Sequence, residues 1–203
     1  PDSSYRLPRG GHILMLGGTT FSSDFADRTV DKNFTITGGV GLALSGTGIL
    51  TLNGDISLGG ADRVITNADS LILNGIITNG GYIKAGAGTL TISSNNTYAG
   101  QTLVSAGVLL HPGTNTASAF GVAAAGYLYG NGSLGGLTPT GMVSAGSASN
   151  NIGNLRVSSM TMPNSGRMRV DLQNMGGAAG TDWDLITVSG GAGTYNANAT
   201  AGG

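Results

Sequence analysis

Residues 84–110 read KAGAGTLTISSNNTYAGQTLVSAGVLL. Apolar and small polar residues alternate over 89–93 and again over 101–105, and a further short run follows at 107–110. Period-two alternation puts every second side chain on one face of an extended strand. Between the first two runs lies Asn95-Asn96-Thr97-Tyr98-Ala99-Gly100, which is turn chemistry. Three strands are thus expected here, too short and too closely spaced for helices.

Working outward, the same texture recurs. Leu50-Thr51-Leu52-Asn53-Gly54-Asp55-Ile56-Ser57 returns as Leu71-Ile72-Leu73-Asn74-Gly75-Ile76-Ile77-Thr78, and Leu90-Thr91-Ile92-Ser93-Ser94 is a shorter copy. Phe34-Thr35-Ile36-Thr37-Gly38 and residues 41–46 share it. An interval of about 20 residues is that of a solenoid, in which each unit buries its apolar face only by stacking on the next. The dipeptides Asn53-Gly54, Asn74-Gly75, Asn79-Gly80 and Asn131-Gly132 are also hairpin signals. Recurrence of like sequence at one-turn spacing argues against hairpins, because only parallel stacking sets Leu50 on Leu71 and Leu52 on Leu73. The expected fold is therefore all-β, a parallel β-helix with rungs of about 20 residues, in one domain over 1–203. Residues 34–110 carry the clearest repeats and 111–203 continue them.

Composition agrees. The chain has 203 residues, with 38 Gly, no Cys, 39% hydrophobic residues and a net charge of −1, so it is neither collagen-like nor disordered. All acids are Asp, and only Lys32 and Lys84 supply ammonium groups. With no basic surplus, nucleic acid is not an expected partner. No apolar run reaches the roughly 20 residues of a membrane helix, so no membrane insertion by this segment is expected. The start at Pro1 and the end at Ala201-Gly202-Gly203 read as those of a piece of a longer protein.

The stretch quoted first resembles the autotransporter-associated β-strand repeat. Its pattern of Lys-x-Gly-x-Gly-Thr-Leu-Thr-Leu, then Asn-x-Tyr-x-Gly-x-Thr, then Ala-Gly-x-Leu falls on Lys84, Gly86, Gly88, Leu90, Ile92, Asn96, Tyr98, Gly100, Thr102, Gly107 and Leu109. Residues 127–137, 146–157, 168–172 and 180–190 are similar to the segments that commonly follow it. The resemblance implies a right-handed parallel β-helix displayed outside a bacterial cell, anchored at the outer membrane through a part outside this chain. It also implies a cysteine-free chain, since a disulfide-closed loop would obstruct export across that membrane.

Chemistry-bearing residues are few. Asp182 and Asp184, at i and i+2, are expected on one strand face, as a polysaccharide hydrolase would need two carboxyls. Trp183 between them and the apolar 185–188 after them favour a structural role. Asp62-Arg63 and Asp69 offer a second acidic site, but read in preference as solvated turn residues. His12 and His111 stand apart, no cluster has metal spacing, and no nucleophile elbow or phosphate loop occurs. No catalytic residue, cofactor or metal is expected. The glycosylation-type sequons at Asn33, Asn95, Asn131 and Asn198 read as turn residues. Asn95, Asn96 and Tyr98 are expected to shape a corner, with Tyr98 either capping the core or stacking on a sugar. The expected function is a non-enzymatic rod or stalk of an adhesin-like passenger. The alternatives are a self-assembling filament and, less favoured, a polysaccharide-active enzyme. Expected partners are a second copy, a host or matrix surface, or carbohydrate.

Overall fold

The computed structural model describes residues 11–16, 26–37, 43–44, 48–147, 151–174 and 176–190. Residues 17–21, most of the repeat at 41–46, residues 148–150, Asn198 and the end at 201–203 lie outside them.

Every ladder between named strands is parallel. The strands wind into a solenoid with three faces. The first face stacks β1 (His12–Met15), β3 (Asn33–Ile36), β6 (Ile56–Ser57) and β9 (Ile77–Thr78). It resumes with β13 (Thr114–Asn115), the start of β15 (Ser133–Pro139), β17 (Asn154–Met160) and β19 (Leu185–Val188). The second stacks β2 (Arg28–Val30), β5 (Leu50–Leu52), β8 (Leu71–Leu73) and β11 (Thr89–Ile92). It continues through the later halves of β12 (Thr102–Leu110) and β14 (Phe120–Gly130) to β16 (Met142–Ala145) and β18 (Arg167–Arg169). The third stacks β4 (Ala43–Leu44), β7 (Arg63–Asn67), β10 (Tyr82–Ala85), the first halves of β12 and β14, and the end of β15.

Alternation decides what faces inward. Leu50, Leu71, Leu90, Leu109, Leu128, Val143 and Met168 pair in sequence from turn to turn, forming one inner row of the second face. Leu52, Leu73 and Ile92 form the next. All but Met168 are buried, and Met168 packs against the same core. Each buried leucine contributes about 2 kcal/mol of transfer free energy, and each does so only because its neighbours above and below are in place.

The Asn-Gly pairs at 53–54, 74–75 and 131–132 form corners of the solenoid. Asn74 Nδ2 donates to Asn53 Oδ1 at 2.9 Å, and Asn53 Nδ2 to Asp31 Oδ1 at 2.7 Å, so one polar ladder climbs the outside. The next residue must be glycine for want of space. A Cβ on Gly75 would lie 2.0 Å from the Gly54 carbonyl oxygen, and one on Gly132 would lie 1.6 Å from that of Gly113. The repeated Gly therefore records how closely successive turns approach at that corner.

One expectation requires correction. The runs at 101–105 and 107–110 form one strand, β12, which bends at a register shift between Val104 and Ala106. In the charged part of the chain, residues 26–32 stay within the stack, where β2 pairs β5.

Candidate functional site

The seam around 84–110 is where the inner row of the third face turns polar. In register from turn to turn it runs Ile65, Lys84, Val104, Val122, beside Arg63, Tyr82, Thr102, Phe120, Leu137. Lys84 occupies a core position with no solvent exposure. Its Nζ reaches the corner and donates to the carbonyls of Ala85 (2.9 Å), Gly86 (2.8 Å) and Ala106 (3.1 Å). Ala106 stands at the bend of β12, so one ammonium satisfies carbonyls on two successive turns. Burial lowers the Lys84 pKa to about 8.

Gly86 and Gly107 make the turns that Lys84 ties. Both lie in left-handed backbone, at φ of 80° and 68°, and a Cβ on Gly107 would come 2.4 Å from the Gly86 carbonyl oxygen. Gly88 and Gly100 also sit against backbone of the previous turn, where a Cβ would come within 2.2 Å of Asp69 O and 2.4 Å of Gly81 N. Leu90, Ile92 and Leu109 belong to the aliphatic rows already described.

Asn96 replaces a strand. No named strand falls on the first face between β9 and β13, and on that side the main chain of Ile77 is met by the Thr97 N–H, which donates to Ile77 O at 3.3 Å. Asn96 bridges the turns on either side: its side-chain Oδ1 accepts from the Ile77 N–H at 2.7 Å, and its main-chain N–H donates to Thr114 O at 2.7 Å. Its Nδ2 donates to Ser94 O, holding the side chain in place. Asn95 Oδ1 accepts from Thr114 N–H, Asn33 Oδ1 from Asp55 N–H, and Asn131 Oδ1 from both Gly146 and Asn154 N–H. These sequon asparagines are corner residues that cross-link turns.

Tyr98 points into the core and is buried, so its ring is not available to a sugar. Its hydroxyl lies 2.7 Å from Thr102 Oγ1, which lies 3.1 Å from Ser118 Oγ; Ser118 donates to Gly100 O at 2.7 Å. Tyr82 meets the Tyr98 ring edge-on at 5.6 Å. Burial raises the pKa of both tyrosines, so the relay is neutral and purely hydrogen-bonding.

The carboxylates do not make a hydrolytic pair. Asp182 lies in a turn and Asp184 precedes β19, so they do not share a strand face. Asp182 accepts from the Ala178 N–H. Asp184 is buried and accepts from Ser144 Oγ (3.0 Å), Gly153 N–H (2.9 Å) and Asp171 N–H (3.1 Å), joining three distant segments. Burial nonetheless raises its pKa. A carboxylate with three donors already in place is a structural tie. Asp62 is exposed, as expected, but Arg63 is buried with Nε donating to Leu58 O at 2.8 Å, contrary to its reading as a solvated turn residue. Such a buried arginine was invisible in the sequence because Asp62-Arg63 looks like any surface turn. Among the described residues no group of three or more metal-ligating side chains occurs.

His12 is exposed and hydrogen-bonds Thr35 Oγ1. His111 is fully buried, edge-on to Phe120 at 5.5 Å. It takes the inner position that Leu52, Leu73 and Ile92 hold in earlier turns. Its Nδ1–H donates to Gly113 O, its Nε2 has no partner among the described residues, and burial lowers its pKa to about 4.

Against known proteins, residues 83–110 match the model of one family, the passenger-associated-transport-repeat. No curated protein and no solved structure matches the chain.

Proposed function

Starting from a chain that carries a passenger-associated transport repeat in a parallel β-solenoid, the combination found in an autotransporter passenger, we propose that it is a non-enzymatic rod. The repeat implies a secreted or surface-exposed protein. In this reading the rod holds an adhesive surface away from the cell, and anchoring at the outer membrane is supplied by another part of the protein.

The observation that carries the reading is the unbroken inner row from Leu50 to Met168. Its six turn-to-turn steps, at about 4.8 Å each, span about 29 Å of continuous core. Stiffness follows because bending such a stack must open close-packed side chains and ladder hydrogen bonds together. The buried carboxylate, Asp184, already accepts hydrogen bonds from three distant segments, which supports a structural role for it. Small-angle X-ray scattering combined with negative-stain imaging tests the reading. Isolated, elongated particles whose cross-section stays constant are expected. A globular particle would refute the rod, and long fibres growing with concentration would replace the stalk with a self-assembling filament.

A further inference from the structure

Between Lys84 and Arg156 the sequence contains no Asp, Glu, Lys or Arg, a span of 71 residues from Ala85 to Leu155. On the outer side of the third face, largely within this uncharged band, lies a shallow groove of about 380 Å³. Its floor exists because two outward positions lack side chains. Gly121 pairs with Leu103 on one side and Thr138 on the other, and Gly136 pairs with Ser159. Leu103 Cδ1 and Gln101 Nε2 stand 3.1 and 3.8 Å from where a Gly121 Cβ would be, and Ser159 Oγ stands 3.1 Å from a Gly136 Cβ. The groove is thus a glycine trough edged by one aliphatic side chain, one amide and a row of hydroxyls.

We propose that this groove binds a neutral polysaccharide chain. The lining offers apolar contact through Leu103 and hydrogen bonds through Gln101, Thr138 and Ser159, matching the C–H faces and hydroxyls of a sugar. With no charged residue over 85–155, nothing in the band attracts phosphate, sulfate or uronate groups. An extended peptide is a poorer occupant, because strand addition requires an open sheet edge and the strand that floors the groove, β14 over residues 120–122, is paired on both sides. A second copy is poorer too: a two-fold contact sets the same patch against itself, and groove against groove encloses a void. The groove is open and crosses successive turns, which suits a polymer lying over them. The proposal rests on the surface-exposed rod reading, since only an exposed rod meets such a polymer.

The test is affinity electrophoresis of the intact chain in dextran, mannan and galactan, with anionic polygalacturonate as the control. The chain is expected to be retarded by at least one neutral polymer and not by polygalacturonate. Gly121→Val with Gly136→Val fills the trough; both glycines are in strands, where β-branched residues are favoured, and the nearest atoms are ends of movable side chains. This variant is expected to bind at least tenfold more weakly with an unchanged melting temperature. Thr138→Ala with Ser159→Ala, which leaves the floor intact, is expected to lose three- to tenfold. No retardation by any neutral polymer, equal retardation by polygalacturonate, or full binding by either variant would overturn the proposal. So would a dimer in light scattering that the filled groove abolishes. Scattering that still shows a rod while binding fails removes the ligand and leaves the rod reading standing.

Discussion

The second and third faces belong to the same winding yet solve their interiors differently. On the second, Leu50, Leu71, Leu90, Leu109 and Leu128 repeat one side chain, and the hydrophobic effect alone explains the row. On the third, the row Ile65, Lys84, Val104, Val122 admits an ammonium, and the row beside it passes through Arg63, Tyr82 and Thr102 before becoming apolar at Phe120. Every buried polar group there must find a partner or cost about 1–3 kcal/mol. Lys84 and the Tyr98–Thr102–Ser118 relay show how the partners are found: at corners, where carbonyls of two turns converge. An aliphatic row stabilises stacking but tolerates many registers. A polar one accepts only the register that pairs its groups.

The sharpest way to break this comparison is on the aliphatic face. Leu73→Asp places an unpaired carboxylate in the row and is expected to cost several kcal/mol, enough to unfold the stack. A native-like melting curve would show that Leu73 does not face the core.

His111 is the exception within that face, and pH isolates it. Its folded pKa of about 4 lies below the unfolded value of about 6.5. Its contribution is therefore complete above about pH 6.5 and lost as pH falls through 4, by about 3 kcal/mol in all. His111→Leu is expected to flatten this part of the acid limb in denaturant titrations between pH 4 and 7. An unaltered limb would mean the imidazole is solvated.

Lys84→Met sharpens the polar side. The substitution keeps the length of the stem and leaves three carbonyls without their donor, for an expected loss of about 2 kcal/mol at pH 7. Because the folded pKa, about 8, is below the unfolded value of about 10.4, the wild type gains stability as pH rises between the two. The Met variant is expected to lack that gain relative to wild type, and an identical pH dependence would place the ammonium in water. Asp62→Asn, on the exposed corner, is expected to change stability by less than about 0.5 kcal/mol in the same titrations. A larger loss would mean the corner is part of the polar scaffold.

Much of the fold was legible because a solenoid writes its periodicity into the chain. Leu50 and Leu71 lie 21 positions apart in sequence and adjacent in space. The candidate site was less so. Lys84, Arg63 and His111 look like surface residues by type, and only the turn stacked on each buries it. Asp182 and Asp184 suggested one strand face because alternation was extended past the end of the strand, where the backbone turns. The groove was invisible for a simpler reason: Gly121 and Gly136 are two among 38 glycines, and nothing local marks them as neighbours of Leu103 and Ser159.

By itself the sequence determined the strand period, the spacing of turns, the aliphatic rows and the glycine corners, because each depends on residues close together in the chain or on their regular recurrence. Only the tertiary structure decided which polar side chains are buried, which carbonyls they satisfy and where the outer surface is hollow. Those properties belong to contacts between turns, where atoms about 20 residues apart meet at hydrogen-bond distance.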